Sequence, residues 1–310
     1  MVMHDDELHI DEGIARQLIV DQFPEWRHEP LRRITTDGTV NAIFRIGNDL
    51  TARFPLRLAD PSDMSGVLDR EADAMRELTV CCPFPTPVPV AMGNPGRGYL
   101  LPWSVQTWVP GMVAIPIVLA QAETFARDLA TLVQSLRAAG TRGRQFAGAG
   151  RGGDLKGSDE WMEVCFLQSD GLLPVDRLRS LWAGFRSLPA AGPAVMTHGD
   201  LIPANLLVDG ERIVGVLDGG GFAAADPSLD LVAAWHMLDN DRRALLRREL
   251  ACDDLEWHRG AAWAFQQAMG LVWYYRKTNP GMSMLGDITL ARILDAPELS
   301  VPALASSGSR

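Results

Sequence analysis

The sequence predicts an α+β protein with a β-rich first third and a mainly helical remainder. Three observations predict it. Short alternating apolar runs, parted by Gly and Asn-Asp turns, fill the region from Pro30 to Leu56. A Pro-rich stretch, CCPFPTPVPVAMGNPG, interrupts the chain after them. From Gln121 onward, apolar positions recur at helical spacing. A chain of 310 residues is long enough for two domains or one large bilobal unit.

Asp11 is placed to cap a helix running to about Phe23, with Ile14 and Leu18 on one face. PLRRITTDGTVNAIFRIGNDLTARFPL then reads as strand, Gly-containing turn, strand, a short turn at Gly47-Asn48-Asp49, and a third strand from Leu50 to Phe54. LDREADAMREL belongs to a polar helix over about Ser62 to Leu78. The Pro-rich stretch reads as an extended connector, and YLLPWSVQTWVPG as a strand closed by a turn at Pro110-Gly111. Gln121 to Ala139 places Phe125, Leu129, Leu132, Val133 and Leu136 on one helical face. Gly140 to Gly157 holds seven glycines with Arg142, Arg144, Arg151 and Lys156, which predicts a mobile loop. Helices are expected at about Val175 to Leu188, Pro227 to Leu238, Asp241 to Leu250 and Trp257 to Arg276. The tail SSGSR reads as disordered.

Composition narrows the partners. A net charge of −10 argues against a nucleic-acid backbone and is compatible with a cationic small molecule, although solubility is the commoner cause of such a balance. The start MVMHDDELH is acidic where a signal peptide is basic, and no apolar run reaches the length of a membrane span. A cytoplasmic protein without a membrane partner is expected. Cys81, Cys82, Cys165 and Cys252 form neither a zinc framework nor a disulfide scaffold.

The chemistry gathers in THGDLIPANLLV, residues 197–208. Asp200 and Asn205 lie five positions apart on a loop, where the acid can accept a hydroxyl proton and the amide oxygen can bind a hard cation. Asp218 follows within IVGVLDGGG, delivered by apolar residues to a strand end. His-Gly-Asp alone also fits a surface turn, a cap or part of a metal site. Together with Asn205, Asp218 and the DPSLDL of residues 226–231, it forms a phosphoryl-transfer constellation. The spacing matches the kinase pattern H-R-D-L-x-x-x-N, with Gly199 in place of Arg.

THGDLIPANLLV, GVLDGGG and ADPSLDLVAAW resemble the core motifs of the aminoglycoside phosphotransferase family, antibiotic kinases with a protein-kinase-like fold. TTDGTVNAIFRIG, LTARFPLR and PWSVQTWVPG fall where that family keeps its nucleotide loop, third strand and hinge. The resemblance spans nearly the whole chain and is weakest between Gly140 and Ala194. It implies an N-terminal nucleotide-binding lobe over 1–107, a helical lobe over 108–300 and a disordered tail over 301–310. It also implies Mg²⁺ and ATP or GTP, and a small-molecule hydroxyl acceptor. In that likeness Asp200 is the catalytic base or orienting acid, and Asn205 and Asp218 hold the metal. Thr36, Gly38, Thr39 and Asn41 lie over the phosphates. Arg53 pairs with Glu71, and Thr107 and Val109 offer hinge backbone groups to the base. His198 and Asp230 brace the catalytic loop. Asp154, Asp159, Glu160 and Trp263 are candidates for the acceptor side, a solvated face or core packing being the other reading.

Two departures stand out. Arg53 replaces the usual Lys, keeping the charge but with a planar fork; a solvated edge-strand Arg is the alternative. Gly219 replaces an aromatic after Asp218, which predicts a missing packing anchor and a looser metal loop. These departures motivate a rival reading as a kinase-like binding protein without turnover. A metabolite or another antibiotic class as acceptor is the nearer alternative. No stretch resembles the activation segment ending in A-P-E, which speaks against a protein kinase.

Overall fold

The computed structural model describes residues 8–34, 40–148 and 150–299. Asp11 caps α1 (Glu12–Gln22) by accepting from the Ile14 N–H, and Ala15, Leu18 and Ile19 turn inward. Strands β1 (Leu31–Ile34), β2 (Asn41–Ile46) and β3 (Leu50–Pro55) follow. The β2–β3 turn uses Gly47 at φ +57°, a left-handed angle suited to glycine. Helix α2 (Pro61–Cys81) starts at Asp60, which accepts from the Ser62 and Asp63 N–H groups. It runs past the expected end at Leu78 and stops at Cys82, where Pro83 disfavours helical backbone.

The Pro-rich stretch is not only a connector: it contains β4 (Pro89–Gly93). With β5 (Trp103–Thr107) it completes an antiparallel sheet of order β1-β2-β3-β5-β4. An edge position explains the exception, because a strand with one open side tolerates Pro; the register breaks between Pro89 and Ala91. One face of this sheet closes over Leu18, Phe44, Phe54, Tyr99 and Trp103. There Phe54 stacks on Trp103 and meets Phe44 edge-on.

The remainder is helical with small sheets between. Its elements are β6 (Met112–Val113), α3 (Pro116–Leu119), α4 (Glu123–Ala138), α5 (Asp159–Gln168), α6 (Val175–Phe185), β7 (Val195–Thr197), β8 (Leu206–Asp209), β9 (Arg212–Val216) and β10 (Ala223–Ala225). Helices α7 (Val232–Met237), α8 (Asn240–Glu249), α9 (Asp254–Tyr274) and α10 (Pro280–Leu294) complete it. The apolar stripe of α4 is buried at Phe125, Leu129, Leu132, Val133 and Leu136, as its spacing predicts. α7 begins later than expected, since Asp226 caps a turn at Ser228 and a 3₁₀ turn covers Leu229–Leu231. α5 and α10 were not expected, although Asn279 and Pro280 form a start signal for α10. This second core includes Phe125, Leu206, Trp235, Trp257 and Phe265, and it reaches Leu78 on α2.

The two-part α+β fold is as the sequence predicts. The Gly-rich segment has neither helix nor strand over 140–148 and 150–153, yet it is fastened down. Arg144 grips Glu77 with two bonds of 2.6 and 2.8 Å, and the Asp226 N–H donates to Gly152. Among the described residues no helix is long and apolar enough to cross a membrane. The terminal segment 301–310 lies outside the described residues.

Candidate active site

The β8–β9 hairpin gathers the site. Its register pairs Leu206 with Val216, so Asn205, just before β8, lies beside Leu217, just after β9. The Leu217 N–H donates to the Asn205 carbonyl at 2.8 Å. His198, on the loop leaving β7, donates from Nε2 to the Leu217 carbonyl at 2.8 Å, since a carbonyl only accepts. The loops of Asp200, Asn205 and Asp218 are thus fastened at one backbone position.

Asp230, buried beneath them, accepts the His198 and Gly199 N–H groups at 2.8 and 3.0 Å. Burial pushes its carboxyl pKa up, opposed by His198 and these two N–H groups. Gly199 sits at φ +83°, where an added Cβ would meet nothing closer than 3.7 Å. Backbone angle, rather than crowding, therefore demands glycine in the motif.

Asp200 Oδ1 accepts from Arg151 Nη2 at 2.8 Å and from Gln267 Nε2 at 3.1 Å. Its Oδ2 receives a longer bond, 3.2 Å, from Asn205 Nδ2, which also donates to the Asp200 carbonyl at 2.9 Å. With its nitrogen turned to Asp200, Asn205 keeps its amide oxygen for a cation. A cleft of about 630 Å³ opens here, lined among others by Glu71, Phe146, Arg151, Asp200, Asp218 and Ala224.

Asp218 adopts φ +59°, a left-handed angle rare outside glycine but open to Asp. Arg53 Nη2 donates to its Oδ1 at 2.9 Å. Desolvation works against the charge, but the Arg53 guanidinium and His198 hold the Asp218 carboxyl below its ordinary range. The expected Arg53–Glu71 pair is replaced: among the described residues Arg53 bonds Asp218 instead. Glu71 lines the same cleft, and burial raises its pKa against the field of Arg53. The donor set, an amide oxygen and a half-exposed carboxylate, fits a hard cation that keeps phosphate and water ligands. Among the described residues no group of three or more His, Cys, Asp or Glu forms a closed metal cage.

The expectation of a loose metal loop at Gly219 is corrected. A Cβ at Gly219 would lie 2.3 Å from Leu78 Cδ2, and one at Gly220 would lie 2.9 Å from Glu71 Cγ. The anchor is present, but α2 supplies it from the other side.

On the nucleotide side, Asn41 opens β2 opposite Pro55. Thr36, Gly38 and Thr39 lie outside the described residues. The Thr107 N–H is committed to Val88 and the Trp108 N–H to Asp49, at 2.9 and 2.6 Å, so Thr107 does not offer its N–H to a base. Val109 follows, largely buried. Of the acceptor candidates, Trp263 is fully buried and donates to Asp226 at 2.9 Å, so it is core. Asp159 is held by Arg186 and by Trp182 Nε1, the latter at 3.0 Å, and Asp154 caps the turn at Lys156. Glu160 is exposed on the first turn of α5. The sequence reading missed Arg151, Gln267 and Leu78. Two adjacent Gln residues in the apolar run AAWAFQQAMG were the available signal for Gln267.

Residues 31–263 match the phosphotransferase enzyme family. Aminoglycoside 3′-phosphotransferase of Escherichia coli is 38% identical over 66 residues, which are 21% of this chain and 24% of that protein. The chain thus spans about a quarter of that relative's length. Among solved structures, the GDP complex of wild-type aminoglycoside 2′-phosphotransferase-IIIa superposes with a TM-score of 0.69 at 16% identity, over 92% of this chain and 99% of that one. Macrolide 2′-phosphotransferase MphH from Brachybacterium faecium gives 0.56 at 19% identity, over 84% and 91%. These structures share the fold, and the family match covers most of the sequence. The chain belongs to the phosphotransferase enzyme family.

Proposed function

We propose that the chain is an ATP- or GTP-dependent kinase that moves the γ-phosphoryl group to a hydroxyl of an antibiotic, an aminoglycoside in the first instance. The observation that carries this reading is Asp200, whose Oδ1 is anchored while Oδ2 keeps acceptor capacity at the cleft. In the reaction the acceptor hydroxyl gives its proton to Asp200, and its oxygen bonds to the γ-phosphorus. The bond from that phosphorus to the β,γ-bridging oxygen breaks, and the nucleoside diphosphate leaves with the electron pair. Asn205 and Asp218 would hold Mg²⁺, which when bound neutralises charge on the phosphates. Arg53 adds a fixed positive charge beside Asp218, and Glu71 sits within its field. Thr36, Gly38, Thr39 and Asn41 would cover the phosphates, with Val109 at the base. His198 and Asp230 act by shaping the loop.

Division into lobes at residues 107 and 108, and a cytoplasmic location, belong to the same reading. So does a cationic acceptor without nucleic acid, supported by the net charge of −10. A macrolide is the second reading, favoured by the apolar cleft wall of Phe146, Ala223, Ala224 and Ala225.

The test is nucleotide consumption with Mg²⁺ and either ATP or GTP. The panel holds a macrolide with kanamycin, gentamicin and streptomycin, aminoglycosides found with solved relatives. Turnover with one class is expected, and Asp200→Asn should lower kcat roughly 10²–10⁴-fold. Undiminished turnover in that variant would remove Asp200 from the chemistry.

A further inference from the structure

Behind Asp200 runs a chain of side chains from three helices. Gln267 on α9 donates to Asp200 Oδ1 at 3.1 Å. Its Oε1 lies 3.0 Å from His236 Nε2 on α7, and His236 Nδ1 lies 2.7 Å from the Thr289 hydroxyl on α10. His236 and Thr289 are both fully buried, so neither meets water. The end of α7 that carries His236 is itself clamped. Arg243 donates to the Leu238 carbonyl, and Arg292 to those of Trp235 and His236.

The polarity of this chain follows from its carboxylate end. A carboxylate only accepts, so Gln267 must present its NH₂ to Asp200 and its oxygen to His236. His236 must then donate from Nε2, leaving Nδ1 to accept from the Thr289 hydroxyl, whose single hydrogen must turn to the ring rather than to the Leu285 carbonyl 2.8 Å away. That requires a neutral ring, and burial pushes the His236 pKa down to about 4. A reversed amide would set its oxygen against the carboxylate and a bare Nε2 against the NH₂ group. That arrangement demands a proton on Nδ1.

We propose that Gln267 is a positioning residue for phosphoryl transfer. It holds Asp200 Oδ1 and is itself held from behind by His236, so that Oδ2 is the oxygen presented to the acceptor hydroxyl. The inference rests on the reading of Asp200 as the base. Arg151 shares Oδ1 from the Gly-rich segment, and Gln267 reaches it from α9.

The first test needs no acceptor. In protein labelled with ¹⁵N-histidine, the His236 ring is expected to be neutral and protonated at Nε2 between pH 6 and 8. Gln267→Leu should release it to a tautomer mixture. A ring protonated at Nδ1 in the wild type would overturn the chain.

The second test is kinetic, with ATP or GTP, Mg²⁺, and either water or the antibiotic found active in the panel as acceptor. Gln267→Leu should lower kcat by up to about 10²-fold with the nucleotide KM unchanged, the cost of a misplaced catalytic group. Thr289→Val, which keeps the packing volume, should give a smaller loss that vanishes in the Gln267→Leu background. Additive losses, or a Gln267→Leu effect on KM alone, would mean packing rather than positioning. Asp200→Asn in the same assay separates the two claims. If it retains turnover, the base assignment fails; if it alone loses turnover, only the Gln267 inference fails.

Discussion

At the scale of single residues, Arg53 pairs with Asp218 at the edge of the cleft. A 2.9 Å bond joins them, Asp218 has a left-handed backbone conformation, and its carboxyl lies below the ordinary range. Arg53→Met should raise the nucleotide KM roughly 10-fold or more, the scale of a lost charged hydrogen bond. Arg53→Lys should fall between, because an ammonium keeps the charge but loses the planar fork. Nucleotide titration of the two variants checks this; equal affinity in wild type and Arg53→Met would return Arg53 to the role of a solvated strand residue. Asp200, Asn205 and Asp218 were legible in the sequence because their spacing belongs to one hairpin and its two flanking loops. Arg151 and Gln267 were not, since they reach Asp200 from 49 and 67 residues away, and only tertiary packing joins them.

At the scale of elements, the contact of α2 with the Gly219–Gly221 turn couples the two parts of the molecule. Gly219→Ala places a methyl group 2.3 Å from Leu78 Cδ2 and should destabilise by about 1–3 kcal/mol, as overpacking does. Gly219→Ala should also lower kcat, and adding Leu78→Ala should restore part of that loss, although Leu78→Ala alone creates a cavity. Unfolding in urea and kcat for the three variants test the pair; full additivity would show that the turn does not rest on Leu78. Three successive glycines suggest a loose turn in the sequence because the helix that packs on them, α2, lies far away in the chain. The same limit hid β4. Proline argues against a strand, and only the sheet order shows that Pro89 lies on an edge. Strands with Gly or Asn-Asp turns between them, and helices with full apolar stripes, were legible because pattern and period are local.

At the scale of the whole molecule, the buried Asp226–Arg259 pair ties distant segments of the helical part together. Arg259 Nε donates to Asp226 at 2.8 Å, while its other nitrogens reach the carbonyls of Gly153, Leu188 and Pro189. Both side chains are almost fully buried. Asp226→Ala leaves an uncompensated guanidinium and should cost about 3–5 kcal/mol, read as a lowered urea midpoint. A midpoint equal to wild type would show that water reaches the pair. His236 gives the stability a pH dependence of definite sign. Its folded pKa of about 4 lies below the ordinary 6.5, so between these values the unfolded chain binds the extra proton. Stability should therefore fall as pH drops from about 6.5 to about 4, by about 3 kcal/mol from this group. His236→Gln should flatten that part of the profile; an unchanged slope would place the titration elsewhere. The central claim is phosphoryl transfer to an antibiotic hydroxyl by way of Asp200. The direct measurement is mass spectrometry of the antibiotic panel after incubation with Mg²⁺ and ATP or GTP, for wild type and Asp200→Asn. A phosphorylated antibiotic from the wild type, at least about 10²-fold reduced in the variant, is the predicted result. Bound nucleotide with no phosphorylated antibiotic, or equal product from both proteins, would contradict it.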